Sequence, residues 1–343
     1  MRSGPRNSIT DVPGVSAGHH RRLDERWATG TTALLVPEGA TAAVDVRGGG
    51  PGTRETDLLD PANLVQQVHG IVLTGGSAYG LAAADGAMRW LGERGHGMPV
   101  GEAAHEVVPL VPAAVLFDLP MGEWGNRPDA EFGYLACESA SAEEAAEGNV
   151  GAGTGAVAGF LKGGIGTAGT VVRSSALDRE ITVGALVAVN SAGSVIDRDT
   201  GLPWQPHPGL RAPRAAEVEA GRQLPDRPAR HGRTRRPLNT TIGAVATDAP
   251  LDKPGCRRVA VAAHDGLARA VRPAHGMTDG DTFFALSTGE ASHGLGAARI
   301  RLLDEVCAAG AEVIRSAIVR AVLAAEPVGE VTSYTRLYPS ARE

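Results

Sequence analysis

Asn239-Thr240-Thr241-Ile242 runs directly into the apolar residues 243–246, which sets a hydroxyl immediately after a peptide bond at the start of a buried strand. Those residue types allow self-cleavage. The Thr240 hydroxyl attacks the Asn239 carbonyl, the peptide becomes an ester, and hydrolysis frees Thr240 as a new N-terminus. A Thr hydroxyl is a weak nucleophile, but a free α-amino group has a pKa of roughly 7.7–8.0 and can deprotonate a neighbouring hydroxyl near neutral pH. The same four residues also read as an ordinary strand with a polar start. Upstream, 203–237 carries prolines at 203, 206, 208, 213, 225, 228 and 237 and is rich in arginine. It reads as an exposed, irregular linker, which suits a processing point because both new ends must separate without unravelling a sheet. Nucleic-acid binding by its arginines is disfavoured by the near absence of aromatics there and by a chain charge of -6.

Other motifs lack the context their chemistry needs. Gly14-Val15-Ser16-Ala17-Gly18 fits the G-x-S-x-G nucleophile elbow, but too little chain precedes it to form the strand that elbow requires. Gly151-Ala152-Gly153-Thr154-Gly155-Ala156 fits a dinucleotide fingerprint, yet it follows an acidic helical stretch where a strand should deliver the turn. A glycine-rich loop passing close to other backbone is the default there. The ten histidines show no H-x-x-H or H-E-x-x-H spacing, read as surface or loop residues, and receive no metal. Cys137, Cys256 and Cys307 are odd in number and widely spaced, which argues against a disulfide framework or a zinc site and for buried apolar thiols.

These residues must be carried by elements the composition permits. Hydrophobic residues make up 43% of the 343, aromatics only 4%, and there are 46 glycines, so the core is built from Ala, Val, Leu and Gly in thin, closely packed layers. Short β-rich runs at 31–36 and 41–46, separated by Pro37-Glu38-Gly39, predict a hairpin. Residues 69–74 predict a strand, a glycine turn and then a helix over 81–91. Ala and Glu predict a helix over 129–147, and 181–190 predicts a strand with 194–196 as its hairpin partner. Beyond the linker come a strand at 240–247, a helix at 256–271, a strand at 282–287 and a long helix at 297–325. Interleaved but irregular strands and helices point to a layered α/β sandwich with sheets inside and helices outside. The N-terminus lacks an apolar signal segment and no uncharged run reaches the roughly twenty residues of a membrane span, so a cytoplasmic protein acting on small molecules is expected.

The landmarks 11–15, Leu73-Thr74-Gly75-Gly76-Ser77-Ala78-Tyr79-Gly80, Gly151 to Gly155, Asn190, the Asn239-Thr240 junction and Asp279-Gly280-Asp281-Thr282-Phe283-Phe284-Ala285, in this order, cover most of the chain. Together they resemble the DmpA-type family of self-processing aminopeptidases, which includes L-aminopeptidase/D-esterases, β-aminopeptidases and endo-type nylon-oligomer hydrolases. The resemblance implies one four-layer αββα sandwich of the N-terminal-nucleophile-like type shared with ornithine acetyltransferases, cut into an α chain of 1–239 and a β chain of 240–343 that stay associated and form a homo-oligomer. It implies hydrolysis of small peptides, amino-acid amides or esters without a cofactor or metal, and no nucleic-acid or membrane partner. Thr240 carries over as nucleophile, with its freed amine as base. Asn190 carries over as the side-chain donor to the developing oxyanion, against an ordinary turn Asn.

Asp279 and Asp281 match carboxylates near the nucleophile in the nylon-hydrolase branch, and one of the two is expected to touch the active amine while the other forms a turn around Gly280. Ser287, Thr288 and Glu290 are carried over as polar residues that orient the nucleophile. Two positions depart from the pattern. Phe117 stands where the nylon hydrolases have Tyr, so a phenolic hydrogen bond is missing, and the lysine after the glycine-rich loop is replaced by Phe160, leaving Lys162 as the nearest ammonium, for charge support or as a solvated surface residue. These changes leave amide hydrolysis intact and argue against nylon oligomers as substrates. The rival readings are acyl transfer to an amine, as in ornithine acetyltransferases, and a nucleotide-binding oxidoreductase built on 151–156.

Overall fold

The computed structural model describes residues 1–143, 145–226, 238–291 and 296–342. Its principal strands, in chain order, are β1 (Ser16–Leu23), β2 (Ala28–Val46), β3 (Gln67–Thr74), β4 (Ala113–Val115), β5 (Val157–Ala158), β6 (Leu161–Lys162), β7 (Gly164–Ser174), β8 (Arg179–Asn190), β9 (Thr240–Thr247) and β10 (Thr282–Ser287). The helices are α1 (Ala83–Glu93), α2 (Ala130–Glu138), α3 (Ala215–Gln223), α4 (Lys253–Ala270), α5 (Ala298–Leu323) and α6 (Tyr334–Leu337). Hydrogen bonds link the strands in the order β7-β8-β9-β10-β2-β3-β4, with β1 also on β2. Only β9 with β10 and β3 with β4 run parallel along that path.

Period-two alternation sorts these strands into four layers. Val183, Ala185, Val187 and Val189 of β8 and Val245 of β9 pack with α4 and α5, whereas Leu186, Ala188, Ile242 and Ala244 point the other way. There they meet Leu34, Val36, Ile71 and Leu73 from the inner face of β2 and β3. The opposite residues of those strands, Ala33, Leu35 and Val72, pack on α1 and α2. Each sheet thus buries one face on helices and one on the other sheet, which is the αββα sandwich. Small residues set the thinness of the layers. A Cβ on Gly166 of β7 would lie 2.0 Å from the Ala317 carbonyl of α5, so only glycine permits that approach.

Several local expectations are corrected. Residues 31–36 and 41–46 are not a hairpin but two halves of β2, which continues through Pro37-Glu38-Gly39 with a register shift against β3 between Leu35 and Ala40. The two halves pair with different neighbours, Thr31–Leu35 with β1 and β3 and Thr41–Val46 with β10, so a continuous strand satisfies more backbone groups than a turn would. The helix predicted over 129–147 ends at Glu138, because Ser141 exchanges backbone hydrogen bonds with Ala17 of β1. Residues 194–196 do not pair with β8. Ile196–Asp197 pairs with Leu202–Pro203, and β8 is flanked by β7 and β9.

The stretch 203–237 is not wholly irregular or exposed. It holds α3, and Arg211 N–H donates to the Ala341 carbonyl while Arg214 N–H donates to Ser340 Oγ, so this part is folded against the C-terminal segment. Residues 227–237 of the expected linker lie outside the described residues. Among the described residues no helix is long and apolar enough to cross a membrane.

Candidate active site

The site forms where β8 ends and β9 begins. Asn190, the last residue of β8, pairs directly with Thr240, the first of β9, and both are buried. Asn239 bridges to Asp279 just before β10, so the junction, the Asn and the acidic segment meet at one end of the sheet. Asn239 N–H donates to the Thr278 carbonyl at 3.0 Å. The Asn239 carbonyl accepts the Gly280 N–H at 2.8 Å and also the Thr240 hydroxyl. The hydroxyl therefore sits on the carbonyl of the very peptide bond that precedes it, and that carbonyl is already polarised by a backbone donor.

Asn190 is locked by two hydrogen bonds. Its Oδ1 accepts Val157 N–H at 2.9 Å, and its Nδ2 donates to the Phe117 carbonyl at 3.2 Å. Phe117 thus contributes through its backbone, while its ring stands edge-on to Trp124 at 6.3 Å. The next residue, Asp118, accepts Thr29 Oγ1 and Gly76 N–H, each at 2.7 Å, tying the segment that follows β4 to the glycine turn after β3.

Both carboxylates of the Asp279-Gly280-Asp281 segment are buried, and they serve different partners although residues two apart on a regular strand share a face. Asp279 accepts Gly276 N–H at 2.7 Å and Ala192 N–H at 3.3 Å, which fastens the turn following Asn190. Asp281 accepts Thr241 N–H at 2.8 Å with one oxygen and His275 Nδ1 at 2.9 Å with the other. His275 was not flagged by the sequence, because it reaches Asp281 across an irregular turn six residues away and no periodicity marks that. The Gly280 N–H is equally invisible in sequence, being a backbone group. Nor are all histidines on the surface. His264 is buried in α4, and burial pushes its pKa down to about 4. His19, on β1, is likewise held at about 4 by burial.

Lys162 is not a solvated surface residue. It is fully buried, its Nζ donating to the carbonyls of Gly153 and Gly163 at 2.9 and 2.8 Å. Its strand partner is Val157, whose N–H holds Asn190, so the lysine braces the backbone behind that side chain. The carbonyl of Gly153 comes from the glycine-rich loop, which forms a three-residue 3-10 turn over Gly151–Gly153 with no strand before it and no long helix after it. That geometry supplies no dinucleotide site.

Ser287, Thr288 and Glu290 do not join the site. Ser287 closes β10 opposite Thr247, seven residues along β9 from Thr240, or about 23 Å at 3.3 Å per residue. Ser287 Oγ donates to the Ala249 carbonyl at 2.6 Å and accepts Leu251 N–H at 3.2 Å, which fixes the loop into α4. Thr288 Oγ1 donates to the Thr247 carbonyl, also at that far end, and Glu290 follows two residues later. Ser287→Ala should therefore lower stability by about 1–3 kcal/mol, seen as a lower Tm, and leave turnover unchanged. A fall in kcat at unchanged stability would return Ser287 to the site.

Among the described residues no group of three or more His, Cys, Asp or Glu is placed to hold a metal ion. Burial raises the pKa of Cys137 to about 12 and pushes those of Cys256 and Cys307 up as well. Cys137 and Cys256 are buried as expected, while Cys307 is half-buried.

Comparison with known proteins shows the family and the fold. The family model for peptidase family S58 matches residues 7–336. An uncharacterized aminopeptidase of Mycobacterium tuberculosis (strain ATCC 25618 / H37Rv) is 49% identical over 352 residues, covering 98% of this chain and 99% of its own. A 6-aminohexanoate-oligomer endohydrolase of Kocuria sp. (strain KY2) is 30% identical over 299 residues, covering 84% of this chain and 78% of its own. Among solved structures, a Burkholderia sp. β-aminopeptidase superposes with a TM-score of 0.74 at 27% identity, covering 99% of this chain and 94% of that one. The L-aminopeptidase D-Ala-esterase/amidase of Ochrobactrum anthropi, described as a variant of the Ntn hydrolase fold, shares the architecture at a TM-score of 0.73 and 23% identity, over 99% and 96% of the two chains. With a family model matched over residues 7–336 and a relative 49% identical across nearly its whole length, the chain belongs to peptidase family S58, the DmpA-type aminopeptidases.

Proposed function

We propose that this protein is a self-processing aminopeptidase that cleaves small peptides, amino-acid amides or esters through an acyl-enzyme on Thr240. The observation that carries the reading is the Thr240 hydroxyl resting on the Asn239 carbonyl, itself hydrogen-bonded to Gly280 N–H. In the first reaction Thr240 Oγ adds to the Asn239 carbonyl carbon, and Gly280 N–H, 2.8 Å from that oxygen, receives the developing negative charge. The C–N bond breaks as the nitrogen takes a proton, leaving an ester that water hydrolyses to the Asn239 carboxylate and a free Thr240 amine. The products are chains of 239 and 343 − 239 = 104 residues.

The same oxygen then serves substrate. The new amine takes the hydroxyl proton, Thr240 Oγ attacks the scissile carbonyl, and the leaving amine departs with a proton. Asn190 donates to the oxyanion, and water releases the acyl group as a free acid. Asp281 holds Thr241 and Asp279 holds the turn after Asn190, so both carboxylates position the reacting groups.

Gly280→Ala tests the cradle. A Cβ there would lie 2.9 Å from both Thr240 Oγ1 and the Gly50 carbonyl, so uncut chain should accumulate in a time course after synthesis. Unimpaired cutting by that variant would show that Gly280 does not frame the attack. For the second reaction, amino-acid amides are supplied with and without an acceptor amine. Free acid as the main product in both is expected, and acyl product appearing on the acceptor alone would mark a transferase instead.

A further inference from the structure

Three donors hold the buried Asp281 carboxylate, and two of them belong to His275. Oδ1 accepts Thr241 N–H at 2.8 Å, while Oδ2 accepts both the backbone N–H of His275 at 3.2 Å and its ring Nδ1–H at 2.9 Å. A carboxylate taken out of water is oriented by the donors it finds, so His275 has most of the say in where Asp281 points. His275 arrives from the left-handed region, with a φ of 57°, where a residue carrying a Cβ stays only if its surroundings hold it. The ring is held from behind as well. His264 of α4 stands edge-on to it with the ring centroids 4.8 Å apart, and is itself fixed by Nε2–H donation to the Asp45 carbonyl at 3.0 Å.

The Thr241 N–H that Asp281 accepts belongs to the peptide that follows Thr240. In the uncut chain Thr240 is also gripped from the other side, because the Asn239 carbonyl accepts Gly280 N–H at 2.8 Å and Asn239 N–H donates to the Thr278 carbonyl at 3.0 Å. Cutting breaks the Asn239-Thr240 peptide and uncouples those holds from the nucleophile. The new first residue is then oriented by its pairing with Asn190 and by the bond from Thr241 N–H to Asp281. A nucleophile at the free end of a chain depends on whatever still fixes it, since small misplacement of a reacting atom costs rate steeply.

We infer that His275 is a positioning residue for turnover by the cut enzyme, its ring Nδ1–H setting the Asp281 carboxylate and, through Thr241 N–H, the Thr240 hydroxyl. The inference rests on Thr240 as the nucleophile and adds the residue that orients it. His275 acts only through Asp281. Self-cleavage depends on it little, because the uncut chain keeps the hold on Asn239.

His275→Gly and His275→Asn, each expressed as the full chain, separate the ring from the turn that carries it. Both residues accept the left-handed conformation, but only Asn offers a donor, its Nδ2, bonded to Cγ where the histidine has Nδ1. Cutting is followed by intact mass, and kcat and KM are measured on a panel of aminoacyl p-nitroanilides. His275→Gly should be cut to completion and keep its KM while kcat falls roughly 10–100-fold, and His275→Asn should recover most of that loss. A residue serving only the turn would leave the two variants alike. Parental kcat in His275→Gly would therefore overturn the assignment, as would His275→Asn turning over as slowly as His275→Gly. A His275→Gly chain that folds but stays uncut would also overturn it, by placing His275 in the cutting step. Should His275→Gly fail to fold, His275→Ala carries the same expectations. Unmodified protein that is uncut, or inactive on every probe, would sink the Thr240 reading itself and this inference with it, whereas the variant outcomes bear on His275 alone.

Discussion

Thr240→Ala is expected to accumulate as one uncut chain of 343 residues with amidase turnover at background, a loss on the order of 10⁴ or more. Removal of the hydroxyl takes away the atom that attacks Asn239 and the atom that later carries the acyl group, so processing and catalysis fail together. The fold should survive. Position 240 is the first residue of a strand whose ladder to β8 is made by backbone groups, and Ala adds no atom to the buried site. Thr240→Ser separates the roles, because it keeps the hydroxyl and loses only a methyl group. That variant should still be cut and still turn over substrate. Measurable amide hydrolysis by uncut Thr240→Ala protein would rule out the mechanism.

The second large effect is at Asn190. If its amide is the oxyanion donor, Asn190→Ala should lower kcat by roughly 10²–10³, equivalent to about 3–4 kcal/mol. Truncation also strips partners from Val157 N–H and the Phe117 carbonyl, at about 1–3 kcal/mol for each buried group, so stability falls too. Asn190→Asp disentangles the two. The carboxylate keeps an acceptor for Val157 N–H and loses the donor, so the rate should fall while most of the local hydrogen bonding to Val157 persists. An unchanged kcat in folded Asn190→Asp protein would assign Asn190 to structure alone.

The sequence was most legible where hydrophobic pattern and chemistry coincide. Residues 240–247 read as a strand because a polar start meets an unbroken small apolar run, and the structure places β9 over those same residues. Asn190 read correctly as the end of a strand because Ser191-Ala192-Gly193 breaks the run. β7 escaped notice. Its Gly-Ile-Gly-Thr-Ala-Gly-Thr start shows no alternation of apolar and polar residues, since both of its faces are buried in thin layers. Pro37-Glu38-Gly39 misled because turn residues also fit an irregularity inside a long strand.

At the site, what the sequence could not convey is which backbone groups arrive. Gly280 N–H, Thr241 N–H and Ala192 N–H do much of the positioning, and no side-chain identity announces them. Lys162 stayed open between charge support and a solvated surface residue because burial of an ammonium depends on carbonyls from Gly153 and Gly163 converging in space. Ser287, Thr288 and Glu290 lay near Asp281 along the chain, yet a strand carries its far end away at about 3.3 Å per residue. Proximity in sequence overstated their nearness to Thr240.

The most direct test of the account is the intact mass of the purified, denatured protein, with N-terminal sequencing of any fragment. The account predicts two chains whose masses sum to the precursor plus one water, the smaller having 104 residues and beginning Thr-Thr-Ile. A single full-length chain with amidase activity, or a cut at any other peptide bond, would contradict it.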